Sequence, residues 1–189
     1  MSDHRKQRIE ILAREDMAPD QRRIHDEIVS GPRGSVPGPL AVWLHSPGLA
    51  SSAQQLGQFV RYESVLSPRL SELAILVTGR CWGAEYEWWV HRPIAEEAGL
   101  SVATIEAIRE NRRPDFVLRD ERIVYNFTLQ LQRDKRVEAA TYAEAVDVLG
   151  EVGVVDLVGI CGYYAFIAMT INAFEISLPE GEVNELGGW

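Results

Sequence analysis

The chain has 189 residues, with 28 acidic against 19 basic side chains and a formal charge of −9. Hydrophobic residues at 46% and charged residues at 25% are the proportions of a folded domain with a sizeable core, which excludes a disordered chain. The acidic balance argues against a nucleic-acid surface, which needs clustered Lys and Arg, and fits a soluble cytoplasmic protein with no membrane partner.

The first twenty residues are charged throughout and hold no apolar stretch, so no secretory leader is expected. Pro19 opens a helix and Gly31-Pro32 ends it, giving an N-terminal helical extension over residues 1–30. The run GPRGSVPGPL, residues 31–40, reads as a loop. It is either a linker or one wall of a site. Ser46-Pro47 and Ser67-Pro68 each read as a cap followed by proline at the first helical position. The first opens a helix to about Tyr62. The second opens RLSELAILVTGRCW, with Leu70, Leu73, Ala74 and Val77 at helical spacing, weakened near Gly79 and Gly83.

A further helix is expected over 84–98, closed by Gly99. Ser101 caps the next, Pro114 breaks it, and Asp120 opens another through about Arg133. Thr141 caps a helix that Gly150 and Gly153 separate from an apolar one ending near Ile176. Its apolar run before Asn172, Leu157 to Ile171, is fifteen residues and falls short of the roughly 20 that cross a bilayer, so it reads as a buried helix. No alternating β pattern occurs, and the fold class is all-α. Residues 31–178 form the main domain and 179–189 a tail.

The two cysteines, Cys81 and Cys161, stand eighty positions apart with no C-x-x-C. A dithiol redox centre and a cysteine-rich zinc site are thereby excluded, while a disulfide between the two stays open. No cofactor motif is present and no metal ligand pattern such as H-E-x-x-H, so neither a cofactor nor a metal is expected.

Chemistry concentrates in residues 68–100. On a helix over 84–98, Glu87 and His91 stand at i, i+4 and share a face. A carboxylate beside an imidazole fixes its tautomer and favours its cation, as a general acid/base requires. Trp82, Trp88, Trp89 and Tyr86 surround the pair, with Tyr86 and Trp88 as candidate substrate contacts. Glu72 sits among apolar neighbours on the preceding helix, where a carboxylate needs a partner or a job. The plain alternatives are a solvated Glu–His pair, core or interface tryptophans and an inert buried Cys81.

At RLSELAIL, YEWWVH and IAEEAGLS the sequence resembles the carboxymuconolactone decarboxylase family, which shares the alkylhydroperoxidase (AhpD-like) fold. The upstream GPLAVWLHSPGLASSAQQLGQFVRYES and downstream GICGYYAFIAMTINAFE extend the likeness over residues 31–178. The resemblance implies an AhpD-like bundle with a central helical hairpin. In the peroxidase branch it implies a C-x-x-C pair at the positions of Ala84 and Glu87, with a glutamate at Glu72 and the histidine at His91. Both redox cysteines are absent here, and Cys81 lies three residues too early.

The branch without the cysteine pair implies a cofactor-independent lyase that releases CO2 from an unsaturated lactone acid, as in the breakdown of aromatic compounds. Catalysis would fall to His91, Glu87 and Glu72. His91 would return a proton to the dienolate, Glu87 would orient the imidazole, and Glu72 would hold a second hydrogen bond or a water. Arg33, Arg69 and Arg80 are candidates for a substrate carboxylate, and His45 for closing the pocket. The alternatives are a ligand-binding protein without catalysis and a peroxidase using Cys81 alone. The resemblance also implies a homo-oligomer, trimer or hexamer, for which Trp88, Trp89, Trp189 and the helix 157–171 offer apolar surface.

Overall fold

The structure is a computed structural model that describes residues 7–187, so Trp189 lies outside the described residues. Among these there are eight α-helices and no strand: α1 (Pro19–Ser30), α2 (Gly38–Trp43), α3 (Pro47–Gln58), α4 (Pro68–Trp82), α5 (Glu85–Glu97), α6 (Val102–Arg109), α7 (Arg119–Asp134) and α8 (Ala139–Phe174). Helix α4 is the hub. Every residue from Leu70 to Gly79 is buried, and α5, α7 and α8 pack around it. A helix buried on all sides, mostly through Leu70, Leu73, Ala74, Ile75, Leu76 and Val77, takes the centre of the bundle.

Helix α4 ends at Gly83, which adopts the left-handed conformation (φ 58°, ψ 32°), and the chain turns directly into α5. The two form the central hairpin. Proline stands in the first turn of α3 and of α4, where its missing N–H costs nothing, but neither Ser46 nor Ser67 makes a side-chain cap bond. Ser101 does cap, accepting from Thr104 N at 3.1 Å.

Several boundaries differ from the sequence pattern. Among the described residues of the N-terminal segment, 7–30, only Pro19–Ser30 is α-helical, after a short 3-10 turn at Arg14–Asp16. Ile24 and Ile28 belong to the common core, so α1 docks on the bundle rather than standing off it. The loop after α1 ends at Pro37, not at residue 40, because proline in the first turn of α2 is compatible with a helix. Helix α8 starts at Ala139 rather than at Thr141. Gln130 of α7 accepts from Glu138 N at 3.0 Å and donates to the Thr141 hydroxyl at 3.1 Å, so a neighbouring helix supplies the cap.

Gly150 alone separates the two halves of α8: its φ of 72° and ψ of 169° are open only to glycine, whereas Gly153 continues the helix. By length and composition α8 is apolar enough to cross a membrane. Of its most apolar window 56% is buried within the chain, where α8 packs on α4 and α7.

Candidate active site

The hairpin brings α4 and α5 face to face at the middle of the bundle. Glu72, 5% exposed, meets His91, 4% exposed, and Oε2 of the carboxylate lies 2.7 Å from Nδ1 of the imidazole. The edge of the ring stands against Tyr164 of α8, at 5.0 Å between centroids and 88° between planes. With Nδ1 committed to Glu72, Nε2 is the nitrogen free to serve a ligand, since no bond to it occurs among the described residues.

The imidazole's partner is therefore Glu72, not Glu87. Spacing of i, i+4 permits a contact on one helix, but the crossing of α4 and α5 sets Glu72 opposite His91 and turns Glu87 elsewhere. Glu87 reaches toward α4 at Gly79, where an added Cβ would lie 3.0 Å from Glu87 Oε1. Both its carboxyl oxygens are buried and neither has a hydrogen-bond partner. Burial above all, and then the Glu72 charge, pushes the Glu87 carboxyl well above the usual carboxylate range. Both effects favour the protonated, neutral form of the acid.

His91 and Glu87 line a partly open cleft of about 40 Å³, together with Arg33, Arg61, Tyr86 and Tyr163. At 10–15 Å³ per water, about three waters fill it. The glycine- and proline-rich segment is thus a wall of the site, since Arg33 and Pro37 stand in it. Arg61 comes from a π-helical turn, Phe59–Glu63, that prolongs α3. Such a turn inserts a residue into the helix and re-aims the side chains beyond it, a device common at functional sites.

Gly57, just before that turn, is a close-approach position. A Cβ there would fall 2.1 Å from the Tyr163 hydroxyl and 2.6 Å from Arg33 Nη2. Burial raises the Tyr163 and Tyr164 phenols above their ordinary range, while the positive charges of Arg33 and Arg61 pull against that rise.

The other sequence candidates stand elsewhere or do other work. Tyr86 lines the cleft and its hydroxyl accepts from Gly38 N at 3.3 Å. Trp88 is a core residue, 1% exposed, that donates to Glu185 Oε2 at 3.0 Å. Arg69 is committed to Asp120 at 2.8 Å and to Glu121. Arg80 donates to the Arg109 carbonyl at 2.9 Å, outside the cleft. His45 Nε2 lies 2.8 Å from the Glu10 carbonyl at an exposed contact, so it fastens the N-terminal segment rather than closing the pocket.

Cys81 and Cys161 are both free thiols, which settles the disulfide question. Cys81 lines a separate, smaller cleft with Arg80 and Arg133, and burial pushes its thiol up. Among the described residues no three of His, Cys, Asp or Glu cluster as metal ligands do.

Arg61, Tyr163 and Tyr164 escaped the sequence reading. The tyrosines lie in an apolar helix that reads simply as core. Arg61 did carry a signal: positions 57, 58, 64 and 65 hold no acid, so no helical neighbour can pair with it.

No family model matches the chain, and no curated protein matches it. The structure is similar to a solved one from Ralstonia eutropha JMP134, described as an alkylhydroperoxidase AhpD core and an uncharacterized peroxidase-related protein. The TM-score is 0.76 at 15% identity, over 92% of this chain and 93% of that one. The fold is AhpD-like.

Proposed function

We propose that this chain is a cofactor-independent lyase of the carboxymuconolactone decarboxylase kind, acting on a small unsaturated carboxylic acid or lactone. The observation that carries the reading is the buried 2.7 Å contact of Glu72 with His91 Nδ1, made at the wall of a cleft. An imidazole held this way has one fixed tautomer and one nitrogen left for chemistry.

In the proposed reaction the bond to the departing carboxylate breaks, CO2 leaves, and its electron pair spreads as a dienolate onto the lactone carbonyl. His91, as imidazolium, gives the Nε2 proton to the distal carbon and recovers one from water. Glu72 is the positioning residue that holds the ring and stabilises its cation. Glu87, neutral and without a bond partner, donates its proton as a hydrogen bond to the dienolate oxygen as charge develops there. A carboxylic acid that burial pushes toward its neutral form suits that task, and the carboxyl bonded to Nδ1 suits the other.

Cys81 has no place in this reaction. Its thiol is pushed up by burial and lies outside the His91 cleft, the opposite of what a peroxide-reducing cysteine requires.

Assembly into a trimer or hexamer belongs to the same reading. The exposed Val152, Val155, Val158 and Met169 of α8 form an apolar stripe suited to a second copy. Light scattering that returned only the 21.2 kDa monomer would remove it.

The test is CO2 release from a panel of small unsaturated lactones and keto acids, with wild type and His91→Ala side by side. Turnover that falls at least about 100-fold in the variant is expected. Ligand binding that survives in both proteins, with no turnover of any compound, would replace the lyase with a binding protein.

A further inference from the structure

We infer that Arg33 and Arg61 form a two-guanidinium clamp that binds the carboxylate of an organic acid in the His91 cleft. The clamp would supply the substrate recognition of the lyase proposed above, but as a binding site it stands on separate observations.

Several arginines elsewhere in the chain are answered by acids, and Arg22, Arg80 and Arg133 by carbonyl or amide oxygens. Arg69 has Asp120 at 2.8 Å, Arg92 has Glu106 at 2.7 Å, and Arg119 has Asp147 at 2.8 Å. Arg122 is paired with Glu144. The two that line the cleft have no carboxylate partner among the described residues. Arg33 has only a long 3.4 Å contact from Nη2 to the Tyr163 hydroxyl, and its buried Nε has no hydrogen-bond partner at all. Arg61 rests over the Tyr62 ring, 5.5 Å from its centroid. An orphaned guanidinium N–H inside a protein forfeits a bond it had in water, a cost that a bound acceptor would recover.

The nearby acids do not answer either arginine. Glu72 is turned to His91, and Glu87 accepts from nothing. The cleft presents two guanidinium charges, with burial favouring the neutral form of Glu87, on a chain whose total is −9. Its polarity is opposite to that of the molecule. A planar carboxylate matches the fork of a guanidinium, and two forks with a tyrosine hydroxyl beside them exceed what a neutral ligand needs.

Gly57 fits the same account. It leaves the space in which Arg33 and the Tyr163 hydroxyl meet, and any side chain there would displace one of them.

The experiment is calorimetric titration of acetate, crotonate and sorbate, with the methyl ester of sorbate and inorganic phosphate as comparisons. The proteins are wild type, Arg33→Gln, Arg61→Gln and the surface control Arg122→Gln, each verified as folded by its melting curve. Arg33→Lys and Arg61→Lys keep the charge without the fork. Because binding is read rather than turnover, an inactive protein that still binds acids would fail the lyase and keep the clamp.

At least one acid is expected to saturate the wild type. Each Gln variant weakens it by about 10-fold or more, the Lys variants by less, and Arg122→Gln leaves it unchanged. The clamp is overturned if no acid saturates the wild type, or if the ester binds as tightly as sorbate. It is equally overturned if phosphate binds more tightly than every acid, or if both Gln variants bind as wild type does.

Discussion

Two small clefts of the molecule stand in contrast, and the residue types in them invert what their reactivity suggests. The cleft at Cys81 holds a nucleophile and several arginines, yet its polar groups are spoken for: Arg80 by the Arg109 carbonyl, Arg112 by Glu110, Arg133 by Asn111. Its thiol is held protonated by burial. The cleft at His91 holds no thiol, yet it keeps an orphaned Arg33 Nε, an unbonded Glu87 carboxyl and a free imidazole nitrogen. Unspent hydrogen-bonding capacity, more than a reactive atom, marks the place where a ligand belongs.

Several substitutions sharpen that contrast, beginning with the one expected to cost most. Glu72→Gln preserves the shape beside His91 but replaces the carboxylate at Nδ1 with an amide. It should lower kcat at least about 100-fold with KM little changed. A rise in KM at constant kcat would instead make Glu72 a binding group.

Gly57→Ala inserts a methyl where Tyr163 and Arg33 already stand. Urea denaturation should show a loss of about 1–3 kcal/mol, together with weaker acid binding. Unchanged stability and unchanged binding would mean that the wall yields and the close approach is incidental.

Glu87 offers a pH signature. In the unfolded chain it ionises near about pH 4.3, and in the fold burial carries that ionisation well upward. Between the two values the folded state holds one proton more, so stability falls as pH rises, by at most about 1.4 kcal/mol per unit. Glu87→Gln removes that slope. Its stability relative to wild type should climb as pH rises above about pH 5, and parallel curves would show a carboxyl whose ionisation the fold does not raise.

The smallest expected effect is at Cys81. Iodoacetamide should alkylate it in the folded protein about 10-fold more slowly than a free cysteine, faster only as pH rises. Alkylation at the rate of an unhindered low-pKa thiol would reopen the second cleft.

How much of this was legible in the sequence differs by level. The helices were, because apolar spacing in RLSELAIL and the Ser-Pro and Gly signals are local properties of the chain. Gly150 was legible as a break, but Gly153 looked identical to it, and only tertiary packing decides which glycine leaves the helix. The start of α8 was displaced because its cap comes from Gln130 on another helix. The same limit applies to the site. Glu72, Glu87 and His91 were all recognised, yet the pairing was assigned along one helix and is made between two. Arg61 depends on a π turn that no apolar period announces.

The central claim is that chemistry belongs to the His91 cleft and not to the Cys81 cleft. The most direct measurement is the initial rate of CO2 release from the best substrate of the panel by wild type, His91→Ala and Cys81→Ser in one assay. His91→Ala should lose at least about 100-fold while Cys81→Ser stays within about twofold of wild type. Activity that survives His91→Ala and disappears in Cys81→Ser would contradict the account and transfer the reaction to the other cleft.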